Sequence, residues 1–187
     1  MKDKSTTLVC PWWICFTFDN PLRKLVHNPE AILSPYVQPG DRVIDIGPGM
    51  GFFTIPLARL VGPKGHVLAI DIQEKMLTNL MSRARKNEVS ERIETYLASQ
   101  KTLGTHEKAD FILAFWMAHE VPDHSTFFRE IHDLLKPGGY LLLSEPMIHV
   151  RRKYFLRTLQ FAKETGLFVK ENPRIRLSHS ALLSIER

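Results

Sequence analysis

The sequence predicts an α/β fold: a doubly wound, mostly parallel sheet of seven strands with an N-terminal aromatic-rich cap. Three observations carry that reading. From residue 41 onward, short apolar runs alternate with amphipathic segments. The runs are nearly unbroken in apolar residues, the pattern of strands buried on both faces of a parallel sheet. The first run, Val43 to Ile46, leads directly into Gly47, Gly49 and Gly51. Glycine recurs this closely where backbone bends sharply or lies against something.

The elements follow in order. "RVIDI" (42–46) reads as the first strand, followed by a helix carrying Phe53, Leu57, Leu60 and Val61. "HVLAID" (66–71) is the second strand, and Glu74–Lys86 is a helix with Met76, Leu77, Leu80 and Met81 on one face. "RIETYL" (92–97) and "ADFILAF" (109–115) are the third and fourth strands. "HSTFFREIHDLL" (124–135) has helical apolar spacing, and "KPGG" (136–139) is predicted to end it. "YLLLSEP" (140–146) is the fifth strand, a basic amphipathic helix spans about 154–165, and 167–171 and 181–186 read as closing strands. The whole chain, 1–187, is predicted to be one domain: a cap over 1–40, a ligand-binding core over 41–146, and a C-terminal helix with the closing strands over 147–187.

The longest apolar runs, such as Phe111 to Ala118, are too short for a transmembrane segment. The stretch at residues 1–18 has Lys2 and Lys4 before an apolar run, but Pro11 interrupts it and no small-x-small site follows, so it reads as mature protein. Two cysteines, Cys10 and Cys15, make no disulfide framework, and a cytoplasmic location is expected. Their spacing suits no standard zinc pair, so no metal site is expected. Charge is uneven: residues 151–187 hold nine Lys/Arg against three Asp/Glu, and the rest of the chain is almost balanced. The excess centres on Arg151, Arg152, Lys153 and Arg157, and it reads first as a solvated helix face.

The glycine turn decides the ligand. A dinucleotide fingerprint places its third glycine three residues after the second. Here that position is Phe52, and the third glycine comes one residue early, at Gly51. Asp45, at the end of the strand, suits a cationic group and repels phosphate. Asp71 lies twenty residues past Gly51 at the end of the second strand, where a carboxylate can accept from both hydroxyls of a ribose. Ile72 follows and can cover one face of a base.

These motifs bring out a resemblance. "VIDIGPGMGFFTIPLA", "VLAIDIQEKML", "ADFILAFWMAHEVPD" and "LLKPGGYLLLSEP" are similar, in order and spacing, to the successive motifs of class I S-adenosylmethionine-dependent methyltransferases. The similarity runs from about Pro39 to Pro146, and the quinone-biosynthesis C-methyltransferases are among the relatives with similar motifs. The resemblance implies a Rossmann-like methyltransferase fold, S-adenosyl-L-methionine as cofactor and S-adenosyl-L-homocysteine as product. It assigns the methionine part to Asp45, Gly47, Gly49 and Gly51, the ribose and base to Asp71, Ile72 and Met76, and the adenine edge to Ser99 and Gln100, with Phe115 at the end of the fourth strand. The chain departs from many members at Ser99, where they carry Asp.

Methyl transfer from a sulfonium is chiefly an alignment problem, and a base is needed only where the acceptor must lose a proton. "FWMAHE" lacks the Asn/Asp-Pro-Pro-aromatic run of methyltransferases acting on amino groups of bases or glutamine. That disfavours nucleic acid and leaves a small-molecule acceptor as the expected partner. His119 and Glu120 follow the fourth strand and are the candidate catalytic pair; His149 stands near the same mouth, and His124 is read as belonging to the next helix start beside Asp123. Trp12, Trp13, Phe16 and Phe18 are the candidate acceptor pocket or lid. Alternatives are a cofactor-binding protein without turnover, a metalloid or thiol acceptor using Cys10 and Cys15, and a nucleic-acid acceptor drawn by the basic C-terminal segment.

Overall fold

A computed structural model describes residues 26–186. A short helix, α1 (Pro29–Leu33), starts at Asn28, whose side chain accepts from the Ala31 amide, with Pro29 in the first turn where its missing N–H costs nothing. Then come β1 (Arg42–Ile46), α2 (Thr54–Leu60), β2 (His66–Asp71), α3 (Glu74–Lys86), β3 (Ile93–Leu97), β4 (Ala109–Phe115), α4 (His124–Leu134), β5 (Leu135–Pro146), α5 (Arg152–Glu164), β6 (Phe168–Glu171) and β7 (Ser178–Ser184).

The seven strands form one sheet in the order β3-β2-β1-β4-β5-β7-β6. β1 pairs in parallel with β2 on one side and β4 on the other, and only β7 runs antiparallel to its neighbours. Side chains alternate across the sheet, so the central strands feed two cores. Val43, Val67, Ala69, Phe111, Leu113 and Leu142 pack with Leu33, Leu57, Ala58 and Leu80 on one face. Ile44, Leu68, Ile112, Leu141 and Leu143 pack with Phe127, Phe128, Ile131 and Phe155 on the other. This double burial explains the unbroken apolar runs.

Two boundaries differ from the sequence expectation. "KPGG" does not close α4 and stand aside; it continues as the first part of β5, with a register shift between Ala109 and Phe111. The glycines permit it: a Cβ at Gly139 would sit 2.9 Å from the Asp110 carbonyl oxygen, so only glycine lets the strands approach there. β7 begins at Ser178 rather than Ala181, because Ser180 is buried by a hydroxyl–hydroxyl bond of 2.9 Å to Ser144 of β5. An apolar pattern cannot report a buried serine that is satisfied by a partner strand.

Phe128 is fully buried at the centre of the α4 face. Phe128→Ala is expected to lower unfolding free energy by about 3–5 kcal/mol, measured by urea denaturation.

Candidate active site

The carboxyl ends of β2, β1, β4 and β5 meet at one edge of the sheet, and the chain reverses direction between β1 and β4. Open sheets of this kind bind ligands in the crevice at such a reversal.

At the end of β1, Gly47, Gly49 and Gly51 all have positive φ, at 69°, 55° and 88°. They serve different ends. A Cβ at Gly47 would lie 2.9 Å from the Met117 Cβ and force it to shift, and one at Gly51 would press on Leu80 Cγ at 3.2 Å. A Cβ at Gly49 would meet no heavy atom within 4 Å. The turn therefore faces open space at Gly49, where a ligand can lie against bare backbone. This is the fit expected for the methionine part of the cofactor.

Asp71 closes the next strand. Its Oδ1 accepts from the Gln73 amide at 2.9 Å, and the amides of Gly49 and Ile72 also bond to it. Burial pushes its pKa up to about 6; the amide bonds oppose this and the charge of Glu120 adds to it. The carboxylate thus ties the glycine turn to the end of β2 beside exposed Ile72. The Ala98 amide donates to the Asp71 carbonyl at 2.9 Å, which brings exposed Leu97, Ser99 and Gln100 alongside. Ser99 Oγ accepts from the Lys101 amide at 3.2 Å and so shapes its own turn.

Asp45 has another role than the one expected. It is 2% exposed, and its Oδ2 accepts from Thr54 Oγ1 at 2.7 Å. Burial pushes its pKa up to about 7, against the Thr54 bond and with the charge of Asp71. It braces the start of α2 under the turn instead of presenting a carboxylate to an amine. Met76, 1% exposed, and Phe115, packed between Phe53, Trp116 and His27, are likewise core residues with almost no surface to offer a cofactor. The aromatic segment with Trp12, Trp13, Phe16 and Phe18 lies outside the described residues, as do Cys10 and Cys15.

Beyond β4 the chain turns sharply. Trp116 has φ 61°, a left-handed conformation that costs a bulky residue strain. Its amide donates to the Ser144 carbonyl at 2.7 Å and its indole N–H to Ser178 Oγ at 2.9 Å, which hold it there. The reversal sends Met117 back against Gly47 and leads into the short turn Ala118–Glu120.

That turn sits on a buried acid. Glu145, at the end of β5, is 1% exposed. Its Oε1 accepts from the Ala118 amide at 2.8 Å, and its Oε2 lies 2.5 Å from His119 Nδ1. Burial pulls the His119 pKa down, but the bond and charge of Glu145, with the charge of Glu120, outweigh it and raise it above the ordinary value. With Nδ1 held by a carboxylate, Nε2 is the nitrogen left to exchange a proton.

His119 lines a cleft of about 470 Å³. Its other walls include His124, His149, Tyr154, Arg157 and Phe161. The His119 and His149 rings stack with centroids 6.3 Å apart, and His124 stacks on Phe161 at 5.6 Å. Asp123 caps α4, accepting from the Thr126 amide at 3.1 Å and hydroxyl at 2.8 Å, so its carboxylate is already engaged. His149 stands where the sequence places it; Glu145, Tyr154 and Arg157 were not foreseen. An acid closing an otherwise apolar strand, as in "LLLSEP", was the available signal for Glu145. Among the described residues no cluster of His, Cys, Asp or Glu is arranged to hold a metal ion.

A reversed-order parallel sheet, a glycine turn open at one residue and an acid on the second strand define a nucleoside-type cofactor fold of the methyltransferase class. Residues 38–174 match the family profile described as a methyltransferase domain, and the chain belongs to that family, the class I S-adenosylmethionine-dependent methyltransferases. It is 29% identical over 119 residues to an arsenite methyltransferase of Halobacterium salinarum, covering 63% of this chain and 30% of that protein. It is 33% identical over 109 residues to a ubiquinone/menaquinone biosynthesis C-methyltransferase of Vibrio campbellii, covering 58% of this chain and 42% of that one. The chain thus spans less than half the length of these curated relatives. Its fold is shared with a SAM-dependent methyltransferase from Aquifex aeolicus, with TM-score 0.81, 23% identity, 93% of this chain and 99% of that one.

Two predictions test the cofactor side. Asp71→Asn is expected to weaken S-adenosyl-L-methionine binding by about 1.5–3 kcal/mol at neutral pH, by calorimetry. Because the wild-type carboxyl protonates near pH 6, affinity should fall as pH drops through that value and level off near the affinity of the Asn variant, which should itself lack this dependence. Gly49→Val is expected to abolish binding in a protein that keeps its far-UV spectrum, since the new side chain fills the open space beside the turn.

Proposed function

We propose that this protein transfers the methyl group of S-adenosyl-L-methionine to a small organic acceptor held in the cleft beside His119. The observation that carries the proposal is the His119–Glu145 pair: a ring exposed to a cleft, its Nδ1 fixed by an acid buried at the end of β5. In this reading, residues 41–146 hold the cofactor and 147–187 contribute the acceptor wall through α5.

The two halves are adjacent along the chain. Met117 packs on Gly47 of the cofactor turn, and His119, two residues on, lines the cleft. Glu120 acts electrostatically on both Asp71 and His119, so it belongs to the partition between them.

When bound, S-adenosyl-L-methionine supplies a methyl group on a positively charged sulfur that leaves as neutral S-adenosyl-L-homocysteine. The residues of the chain do the rest. Gly49 and Asp71 fix the cofactor, the stacked rings of the cleft orient a flat acceptor, and His119 takes the proton of an acceptor hydroxyl or acidic C–H at Nε2. Glu145 stabilises the imidazolium that results and keeps the ring from turning. The two relatives are named as methyltransferases, which supports turnover over cofactor storage. Scarcity of cysteine supports a cytoplasmic setting.

The test is transfer from labelled S-adenosyl-L-methionine to a panel of small hydroxylated and enolic compounds. His119→Ala is expected to lower kcat/KM by about 10²–10³-fold while cofactor affinity stays unchanged. The rate should rise with pH through the His119 pKa, because the neutral ring is the base. Glu145→Gln removes the charge that helps raise that pKa and one of the two acceptor oxygens, so the rising limb should move to lower pH while the plateau falls. Cofactor binding without transfer to any compound of the panel would reduce the protein to a cofactor-binding module.

A further inference from the structure

We propose that the N-terminal end of α5 and the two loops beside it form a surface that docks on an anionic lipid bilayer. Ile148, in the β5–α5 loop, is 79% exposed. Met147, Tyr154, Leu156 and Leu177 are also exposed. The Met147 amide donates to the Leu177 carbonyl at 3.0 Å, so the β5–α5 and β6–β7 loops present one joined apolar tip.

Cations surround it. Arg151, Arg152, Lys153 and Arg157 follow the tip on α5, and Arg174 and Arg176 stand in the β6–β7 loop; all are exposed. From Pro146 to Ala162 there is no Asp or Glu at all. The placement works against the helix itself. Residues Arg151 to Lys153 lie at the N-terminal, positive end of a 13-residue helix that has no acidic residue in its first turn and no capping side chain. Helix termini ordinarily carry the opposite arrangement. The positive potential is thus stacked at one point, beside aliphatic side chains that water solvates poorly.

That combination selects its occupant. Large aliphatic side chains insert into the acyl boundary of a bilayer while a basic rim meets anionic headgroups. Nucleic acid would be read through stacking platforms, and Tyr154 is the one aromatic among the exposed apolar residues here. A second copy of this face would bring like charges together. The N-terminal segment 1–25 carries four Lys/Arg against two Asp, so it offers no complementary charge. Tyr154 and Arg157 also line the cleft, so docking would turn the cleft mouth toward the lipid. Only this last point rests on the function proposed above.

The test is co-sedimentation of the full chain with vesicles of phosphatidylcholine alone and of phosphatidylcholine with phosphatidylglycerol. Binding is expected only to the anionic vesicles, weakening as salt rises. Ile148→Glu and the pair Arg151→Glu/Arg152→Glu should each reduce it about tenfold or more, with S-adenosyl-L-methionine affinity unchanged. Equal binding to both vesicles, no binding, or indifference to Ile148→Glu overturns the proposal. An RNA stem-loop that displaces the vesicles and binds Ile148→Glu as well as wild type would assign the face to nucleic acid and overturn it too. So would protection of Ile148→Cys from a maleimide without vesicles, in a Cys10→Ser/Cys15→Ser background, since the chain itself or a second copy would then cover the face. The readout is lipid binding, so a failure of methyl transfer leaves it intact.

Discussion

The parallel pairing of β1 with both β2 and β4 is the constraint on which the rest of this molecule depends. The crossovers that allow it run over both faces: α2 and α3 cover one as β1 leads to β2 and β2 to β3, and α4 covers the other as β4 leads to β5. The helices bury both faces, and the strand order diverges at β1 and β4, where the carboxyl ends leave a crevice. Everything chemical sits at that divergence: the glycine turn, Asp71, the Trp116 reversal and the His119–Glu145 pair.

Three acids lie in or under that edge. Asp45 and Glu145 are almost wholly buried, and Asp71 largely so. Burying a carboxylate is costly unless donors meet it. Each has its donors: Thr54 for Asp45, backbone amides for Asp71, and Ala118 with His119 for Glu145. The donors also do structural work. Thr54 ties α2 to β1, the Gly49 amide ties the turn to β2, and the Ala118 amide pins the loop after β4 to β5. A ligand site and the loop anchors are therefore made from the same bonds, which gives the crevice its shape before any ligand arrives.

What the sequence revealed divides along physical lines. β1, β2, β4 and α3 were legible because double burial leaves an apolar run or a one-faced period that needs no knowledge of partners. The glycine turn and Asp71 were legible because spacing along one chain segment fixes them. The start of β5 was hidden by Pro and Gly that suit a strand only because β4 accommodates a register shift, and the start of β7 was hidden by Ser178 and Ser180, which bond to Trp116 and Ser144. Met76 and Phe115 pack inward, which a motif does not report, because it gives a position and not the direction in which a side chain is packed. Glu145 and His119 are 26 residues apart and meet only after β4 and β5 pair, so no local reading unites them.

That division explains why the cofactor side and the acceptor side carry unequal information. The proposed cofactor side draws on β1, the glycine turn and the neighbouring ends of β2 and β3, short-range elements of the chain, and the family match runs over residues 38–174. The proposed acceptor side draws His119 from the turn after β4, Glu145 from β5 and Tyr154, Arg157 and Phe161 from α5, and its shape depends on how α5 packs against α4. A change on the outer faces of α5 can therefore alter what enters the cleft without disturbing Gly49 or Asp71. The same helix holds Phe155 and Ala162 in the core, turns Tyr154 and Arg157 to the cleft and carries Arg152, Lys153 and Leu156 outward. Phe155 and Ala162 hold the helix to the core, while cleft and surface share an edge at Tyr154 and Arg157, which line the cleft and are themselves exposed.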